Sequence, residues 1–372
     1  MRTCLVVLSA FFFLLWPLLV AAEDDCVTSL CHAGLGKASY VHGPIKAASC
    51  QICHRPTTDS HPQTKQAFEL IDKGPGLCYR CHQSKTGDDP VIHPVLEEGC
   101  TGCHSPHQGD LPYFLYGQDK TLCYLCHEDK ISGKAVVHPI VEDGCLSCHQ
   151  VHSGAAAGML SAEGAEFCLT CHQDPTQGKP VQHTPVKRGD CISCHDPHAT
   201  DYPFMLPGAG PQLCFSCHEN FIADKAVVHP IIEEGCQACH DPHADNAPFM
   251  LKAEGAALCY ICHENKTDGG GSVHPPVAEG NCTGCHDPHA TNNKALLLAP
   301  GGELCNLCHE SKIEGKAFAH GPVGAGACTD CHDPHQNKEA ALLPAKGAAL
   351  CYECHRNMVA EQYDHGPVAE GN

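Results

Sequence analysis

The chain has 372 residues, of which 31 are cysteine and 30 are histidine, and its formal net charge is −20. These counts exclude an ordinary globular composition, and a cytosolic protein would not carry so many cysteines as disulfides. The acidic balance argues against nucleic acid and anionic membranes as partners, so an exported cofactor protein or a metal array remains.

The N-terminal segment, residues 1–22, has the features of a secretory signal peptide. A basic start at Arg2 precedes an apolar run from Cys4 to Val20, and small residues follow before an acidic stretch. The alternative is a retained membrane anchor, which the shortness of the apolar run disfavours. Cleavage would remove Arg2 and Cys4, so the charge would change from −20 to −21 and 30 cysteines would remain.

Fifteen paired-cysteine motifs follow, and fourteen of them have the form Cys-x-x-Cys-His. This form is the attachment signature of c-type haem, in which both cysteines bond to the porphyrin and the histidine binds the iron. In the first motif four residues separate the two cysteines. The cysteines are Cys26 and Cys31, Cys50 and Cys53, Cys78 and Cys81, Cys100 and Cys103, Cys123 and Cys126, Cys145 and Cys148, Cys168 and Cys171, Cys191 and Cys194, Cys214 and Cys217, Cys236 and Cys239, Cys259 and Cys262, Cys282 and Cys285, Cys305 and Cys308, Cys328 and Cys331, and Cys351 and Cys354.

The motifs alternate between two types, so the period is one pair of motifs. First-type motifs, which begin at Cys78, Cys123 and their equivalents, are 45 or 46 residues apart, and a second-type motif lies between each pair. A fixed period of this size indicates a repeat array whose units mainly contact their neighbours. We assign residues 23–66 to a first, divergent two-haem repeat and residues 67–372 to tandem two-haem repeats, the last of them incomplete.

The fold class predicted is that of a multihaem cytochrome c, with short α-helices and coil around a stacked haem array and almost no β-structure. The segments between motifs are short and rich in Gly, Pro, Ala and Asp, and they show neither strand alternation nor a long helical stripe. About fifteen haems would supply the apolar core that such segments cannot build.

The histidines divide equally between the motifs and the segments that connect them. The motif histidines are His32, His54, His82, His104, His127, His149, His172, His195, His218, His240, His263, His286, His309, His332 and His355. The others are His42, His61, His93, His107, His138, His152, His183, His198, His229, His243, His274, His289, His320, His335 and His365. Every haem could therefore have two histidine ligands, with none left over.

The connecting histidines are of two kinds. One kind begins His-Pro or His-x-Pro, as at His183, and the other ends a second-type motif as Asp-Pro-His, as at His243. A residue before proline disfavours helical geometry, so the motif helix should end at the Asp. Because His243 follows the motif histidine by three residues, it cannot reach the opposite face of the same iron, and we expect it to serve a neighbouring haem.

Other ligand schemes are weaker. Met205 and its equivalents alternate with Phe and Leu in other repeats, which favours packing over iron binding. A zinc array is disfavoured by the regular presence of matched histidines. The wide Cys26–Cys31 motif could instead be a disulfide or a free pair, and His61 follows His54 by seven residues instead of three.

The paired motifs resemble the doubled-CXXCH multihaem cytochromes c. The likeness rests on Leu-Cys-Tyr-x-Cys-His, His-Pro-Val and Gly-Cys-x-x-Cys-His-Asp-Pro-His, and it covers essentially the whole mature chain. It implies an exported, bis-histidine electron carrier in the periplasm, at the cell surface or outside the cell. Its partners would be donor and acceptor redox proteins, a porin–cytochrome conduit, metal oxides or further copies of itself.

The last residues repeat the spacing that precedes a second-type motif. His183, His274 and His320 each stand eight residues before a cysteine, and the same spacing from His365 predicts a cysteine at position 373. We expect the native protein to continue with another motif.

Three functions fit these patterns. The first is electron transfer through about fifteen bis-histidine haems in respiratory or extracellular electron transfer, which involves no catalytic residue. The second is a multihaem oxidoreductase that acts on a nitrogen or sulfur oxyanion, which would need an open iron position; the chain has no Cys-x-x-Cys-Lys motif. The third is a conductive cytochrome that forms filaments.

Overall fold

The fold is seen in a computed structural model that describes residues 26–27, 31–58, 61 and 67–355. The predicted signal peptide and His365 lie outside these residues. Backbone contacts divide the chain into two units, one within residues 1–129 and 143–161 and the other within residues 130–142 and 162–372. In the described part of the chain, no helix is long and apolar enough to cross a bilayer.

The α-helices are only four to six residues long, and they are of two kinds. Helices of the first kind carry the first cysteine of a first-type motif: Pro75–Tyr79, Lys120–Cys123, Gly164–Cys168, Gln212–Phe215, Ala256–Cys259, Gly301–Asn306 and Ala348–Tyr352. Those of the second kind begin within two residues of a His-Pro or His-x-Pro histidine: Gly43–Lys46, Val95–Glu98, Pro139–Asp143, Thr184–Lys187, Pro275–Ala278 and Gly321–Gly324. Proline fixes φ near the value of the first helical turn, which explains these starts.

Second-type motifs form shorter 3-10 helices instead. They span Cys50–Ile52, Cys100–Gly102, Cys145–Ser147, Cys191–Ser193, Cys236–Ala238, Cys282–Gly284 and Cys328–Asp330, and a further one, Pro230–Glu234, follows His229. The expectation that this helix ends at the Asp was wrong by a few residues. The chain leaves the helix at the second cysteine because Asp196 N–H donates to the Met205 carbonyl (2.8 Å), which pairs the motif with the turn that follows it.

That following turn is a second set of 3-10 helices with unusual dihedral angles. It spans Pro112–Phe114, Ala157–Met159, Pro203–Met205, Pro248–Met250, Lys294–Leu296 and Ala340–Leu342. In each case the last two residues have positive φ, for example Phe204 at 60° and Met205 at 61°. Side chains rarely adopt this conformation, which costs about 1–2 kcal/mol per residue. Its recurrence in six consecutive repeats indicates that the surrounding structure requires it.

Strands are two or three residues long and join distant segments in antiparallel pairs. The pairs are Tyr40–Val41 with Gln108–Gly109, His54–Pro56 with Phe68–Leu70, Val91–Ile92 with Ser153–Gly154, Val136–Val137 with Ala199–Thr200, Val181–Gln182 with Ala244–Asp245, Val227–Val228 with Ala290–Thr291, and Ser272–Val273 with Gln336–Asn337. Apart from the second pair, each one joins the residues before a His-Pro or His-x-Pro histidine to the residues after a histidine of the other kind.

These strands bring two connecting histidines together at backbone level. His183 N–H donates to the His243 carbonyl (3.0 Å), and His229 N–H donates to the His289 carbonyl (2.9 Å). The same bond recurs from His42, His93, His138 and His274 to His107, His152, His198 and His335.

Few side chains of the described residues are buried by other parts of the polypeptide. Among the described residues the buried apolar side chains are six alanines and Ile232, and no large side chain is fully buried. Large apolar residues inside the motifs, such as Ile192 and Leu307, are 70% and 61% exposed. The polypeptide therefore has no apolar core of its own, as the sequence predicts for segments this short.

Candidate haem sites

In the described part of the chain, at least thirteen pairs of histidine rings face each other at nearly constant separation. Their centroids are 5.8–6.4 Å apart and their planes differ by 6–34°. In the first unit the pairs are His32–His61, His42–His82, His54–His107, His93–His127 and His104–His152. In the second they are His138–His172, His183–His218, His195–His243, His229–His263, His240–His289, His274–His309, His286–His335 and His320–His355.

This separation suits two imidazoles that bind one iron from opposite sides. Because a metal–imidazole bond is about 2 Å long and the ring centroid lies about 1 Å behind the bonded nitrogen, such rings have centroids about 6 Å apart. A tetrahedral zinc site would instead gather four ligands. No group of three or more His, Cys, Asp or Glu side chains that could hold a metal ion occurs in the described residues.

Apart from the wide first motif, the pairing follows one rule for each type of motif. A first-type motif histidine pairs with the His-Pro or His-x-Pro histidine that precedes it, as His218 does with His183. A second-type motif histidine pairs with the connecting histidine of the next repeat, as His195 does with His243. His198, although only three residues from His195, is therefore not the partner of that ring.

The turn with two consecutive positive φ values, called the left-handed turn from here on, determines which ring nitrogen of the second-type motif histidine carries the proton. His195 Nδ1 lies 2.7 Å from the Phe204 carbonyl, and His240 Nδ1 lies 2.9 Å from the Phe249 carbonyl. The same contact, at 2.7–2.8 Å, joins His104 to Tyr113, His149 to Gly158, His286 to Ala295 and His332 to Ala341. Because the carbonyl can only accept, Nδ1 carries the proton and Nε2 keeps its lone pair for a metal.

The residues of this turn were missed by sequence reasoning. The residue that supplies the carbonyl is Tyr, Gly, Phe or Ala in different repeats. Only its backbone takes part, so no side-chain pattern marks it. The next residue, for example Met205, likewise contributes its carbonyl and has no assigned ligand role. The leucine that follows pairs with the motif histidine as a β-bridge in three repeats, as in His240 with Leu251.

The chain belongs to the doubled CXXCH motif family. The family model matches seven segments, residues 42–87, 93–132, 138–177, 183–223, 229–268, 274–314 and 320–360. A search of curated proteins gave no match to the chain. The seven doubled CXXCH repeats imply covalently bound c-type haem and are of the kind found in multihaem electron-transfer cytochromes.

Each doubled CXXCH repeat begins at a His-Pro or His-x-Pro histidine, and these rings are oriented by carbonyls of another repeat. His42 Nδ1 lies 2.9 Å from the Pro106 carbonyl, and His93 Nδ1 lies 3.2 Å from the Val151 carbonyl. His183 and His274 contact the carbonyls of Pro242 and Pro334, each at 3.1 Å. The carbonyl in each case comes from the residue before the other connecting histidine.

The remaining connecting histidines lie beside a carboxylate in the later repeats. The Nδ1 atoms of His198, His243, His289 and His335 are 3.5–3.7 Å from the Oδ1 atoms of Asp196, Asp241, Asp287 and Asp333. Each Oδ1 also accepts the backbone N–H of its own histidine at 2.8–2.9 Å, which fixes the turn.

Burial keeps several connecting histidines in the neutral form that binds metal. Loss of hydration lowers the pKa of His107, His152, His229, His243, His289 and His335, since burial disfavours the imidazolium. Neighbouring histidines lower the pKa further, whereas the adjacent Asp opposes the shift at His243, His289 and His335.

The attachment cysteines of consecutive motifs adjoin one another. Burial, together with a neighbouring thiol, raises the pKa of Cys78 to about 11, and the neighbour is Cys100 of the next motif. A neighbouring thiol and burial likewise raise a cysteine pKa in the pairs Cys123 and Cys145, Cys168 and Cys191, Cys214 and Cys236, Cys259 and Cys282, and Cys305 and Cys328. Second-type motifs also interact electrostatically with the next repeat, because a thiol of the neighbouring motif raises a cysteine pKa in the pairs Cys103 and Cys126, Cys194 and Cys214, Cys239 and Cys262, and Cys285 and Cys308.

The residues whose spacing or pairing departs from the regular repeat are found at both ends of the described chain. His61 lies opposite His32, the histidine of the wide Cys26–Cys31 motif, with the two planes only 6° apart. Cys26 is half-buried and Cys31 is exposed. Among the described residues His332 faces no second histidine ring, and the prediction of two ligands for every motif stays untested there because His365 lies outside these residues.

Proposed function

We propose that this protein transfers electrons through a series of about fifteen covalently attached c-type haems, each held by two histidines. The observation that carries the proposal is the constant 5.8–6.4 Å separation of thirteen histidine pairs, each built around a motif histidine. The large apolar side chains left exposed inside the motifs, such as Ile192, provide surfaces that a porphyrin would cover.

When bound, c-type haem supplies a one-electron couple between ferric and ferrous iron. The chain contributes two nitrogen ligands to each site, and in several sites one of the two has its Nδ1 proton held by a backbone carbonyl, as in His195 and His183, so the ligand set can stay the same in both oxidation states. The short elements and their cross-repeat hydrogen bonds hold these ligands at a fixed separation. These residues favour electron transfer over substrate chemistry, and we assign no catalytic residue.

The order of electron transfer follows the order of the sequence within each unit. Support comes from the cysteines, because the Cys214 thiol hydrogen-bonds with Cys236 of the following motif and interacts electrostatically with Cys194 of the preceding one. Each attachment site is thus next to the preceding and the following site along the chain. A series of this kind can serve as a wire or as an electron store.

Export to the periplasm or the cell surface forms part of the proposal. It rests on the basic, apolar and small-residue pattern of residues 1–22 and on the covalent mode of haem attachment. The charge of −20 suits docking to basic redox partners or to metal cations. We propose donor and acceptor redox proteins or a porin–cytochrome conduit as partners, in respiratory or extracellular electron transfer.

The intact mass of the exported holoprotein tests the proposal. We expect residues 1–22 to be absent and fifteen haem increments to be present, with one fewer when Cys191 and Cys194 are both replaced by alanine. Fourteen increments in the parent would keep the function and overturn haem attachment at Cys26 and Cys31. Zinc or no increment would contradict the proposal.

A further inference from the structure

The two types of motif give their haem sites different hydrogen-bonding environments. At second-type sites the motif histidine donates Nδ1–H to the left-handed turn, as His240 does to Phe249 at 2.9 Å. Its partner histidine lies beside a carboxylate, since His289 Nδ1 is 3.7 Å from Asp287 Oδ1.

First-type sites have the carbonyl contact on the other histidine of the pair, and they lack the carboxylate among the described residues. Within the described part of the chain, none of the motif histidines at these sites has an Nδ1 acceptor at hydrogen-bond distance: His82, His127, His172, His218, His263, His309 and His355. Their partners, such as His274, contact a neutral backbone carbonyl at 2.9–3.2 Å.

Because each type of site has one histidine that contacts a backbone carbonyl through Nδ1, the carboxylate is the difference between them that acts on the iron. A histidine that donates Nδ1–H to a strong acceptor is a more basic ligand through Nε2. A nearby carboxylate adds negative charge. Both effects stabilise the more positive ferric state, and the carboxylate effect is strongest where the site is shielded from water.

We propose, building on the function proposed above, that haem sites alternate in reduction potential along the chain, with second-type sites lower than first-type sites. The Asp of the Asp-Pro-His segment lowers the potential of the second-type sites whose partner histidine lies beside it. With alternating potentials, the difference in reduction potential between donor and acceptor haem would change from one electron-transfer step to the next.

Two second-type sites lack the Asp, so the effect of the Asp on potential can be compared between sites of the same chain. Ser105 and Gln150 occupy the equivalent positions in two earlier repeats, beside His107 and His152. The sites completed by these two histidines, at His54 and His104, are therefore expected to have higher potentials than the other second-type sites.

Asp287 is the most suitable residue for substitution. Asp241 is 3.5 Å from the Lys179 ammonium, which offsets its charge, whereas no such ion pair with a cation is found for Asp287 in the described residues. Asp287→Asn keeps an oxygen that can accept the His289 N–H and removes only the charge. Gln150→Asp makes the opposite change beside His152.

Optical redox titration of the holoprotein measures the effect. We expect Asp287→Asn to move about one haem equivalent of absorbance to higher potential, and Gln150→Asp to move one equivalent to lower potential. The shift from Asp287→Asn should vanish when the haem it acts on is deleted by Cys236→Ala and Cys239→Ala. Glu264→Gln, at a 94% exposed side chain, is the control for a general change in charge. Unchanged titrations, or equal shifts in Asp287→Asn and Glu264→Gln, would overturn the role of the Asp.

Deletion of single haems tests the alternation itself. Removal of a second-type site by Cys282→Ala and Cys285→Ala should take absorbance from the low-potential end of the titration. Removal of a first-type site by Cys259→Ala and Cys262→Ala should take it from the high-potential end. Loss from the same region in both variants would overturn the alternation. Intact mass checks haem loading in every variant, so a failure here is distinct from a failure of the proposed function.

Discussion

The histidine rings are arranged so that each site draws one ligand from its own motif and the other from elsewhere in the chain. His243 illustrates this, since it lies three residues from one motif histidine, His240, and 6.1 Å by ring centroid from another, His195. The ligand that completes a second-type site therefore comes from the following repeat, and loss of one such histidine should affect a distant motif.

Replacement of a connecting histidine tests this assignment. We expect His243→Ala to convert one haem from low-spin to high-spin iron, because the site at Cys191 and Cys194 would lose its second nitrogen ligand. Electron paramagnetic resonance and carbon monoxide titration would each measure about one haem equivalent.

Deletion of haems identifies which site has changed. The new signal should disappear when Cys191→Ala and Cys194→Ala are added, and it should persist with Cys236→Ala and Cys239→Ala. The reverse pattern would mean that His243 binds the haem of its own motif.

Residue identity predicted which side chains would be ligands, which stays a prediction, and residue spacing did not predict which rings face each other. Sequence reasoning excluded His243 from its own haem and sent it to a neighbouring one, without naming that haem. The pairing depends on strands of two residues, such as Val181–Gln182 with Ala244–Asp245, which are too short to leave a periodic pattern. The turn at Phe204 was not predicted either, because its function belongs to the backbone.

At the level of elements, close backbone contacts between glycines set the distance between the two motifs of a repeat. A Cβ on Gly164 would come within 2.9 Å of the Gly189 carbonyl oxygen, and one on Gly189 within 2.9 Å of the Ala165 nitrogen. Equivalent contacts join Gly301 to Gly326 at 3.2 Å. These contacts lie just before the two cysteines that adjoin each other, so they bring consecutive attachment sites together.

Substitution of two glycines with nearly the same φ distinguishes the cost of a close contact from the cost of backbone strain. Gly189 and Gly178 have φ of 75° and 76°, but a Cβ on Gly178 would meet nothing within 4 Å. We expect Gly178→Ala to cost about 1 kcal/mol from backbone strain alone, and Gly189→Ala to cost about 2–3 kcal/mol because strain and overlap add.

The midpoint of guanidinium unfolding, followed by circular dichroism, measures the difference between these two variants. Equal midpoints would show that the contact between the motifs does not contribute to stability.

At the scale of the whole molecule, contacts between repeats hold the polypeptide together in the absence of an apolar core among the described residues. The described residues bury six alanines and one isoleucine, while connecting segments from different repeats pair through short strands. Such a chain gains cohesion from neighbouring repeats and from its cofactors. The tandem repeat and the short helices were predictable because the cysteines recur at 45 or 46 residues. Six of the strand pairs were not, since their paired residues lie 61–69 positions apart in the sequence, more than one period.

A density map of the haem-loaded protein that resolves histidine side chains tests the central claim most directly. It should show the iron attached at Cys191 and Cys194 between His195 and His243, and the iron attached at Cys214 and Cys217 between His218 and His183. An iron at either motif bound by His198 or His229, or by a single histidine, would contradict the ligand exchange between repeats on which the proposed function is built.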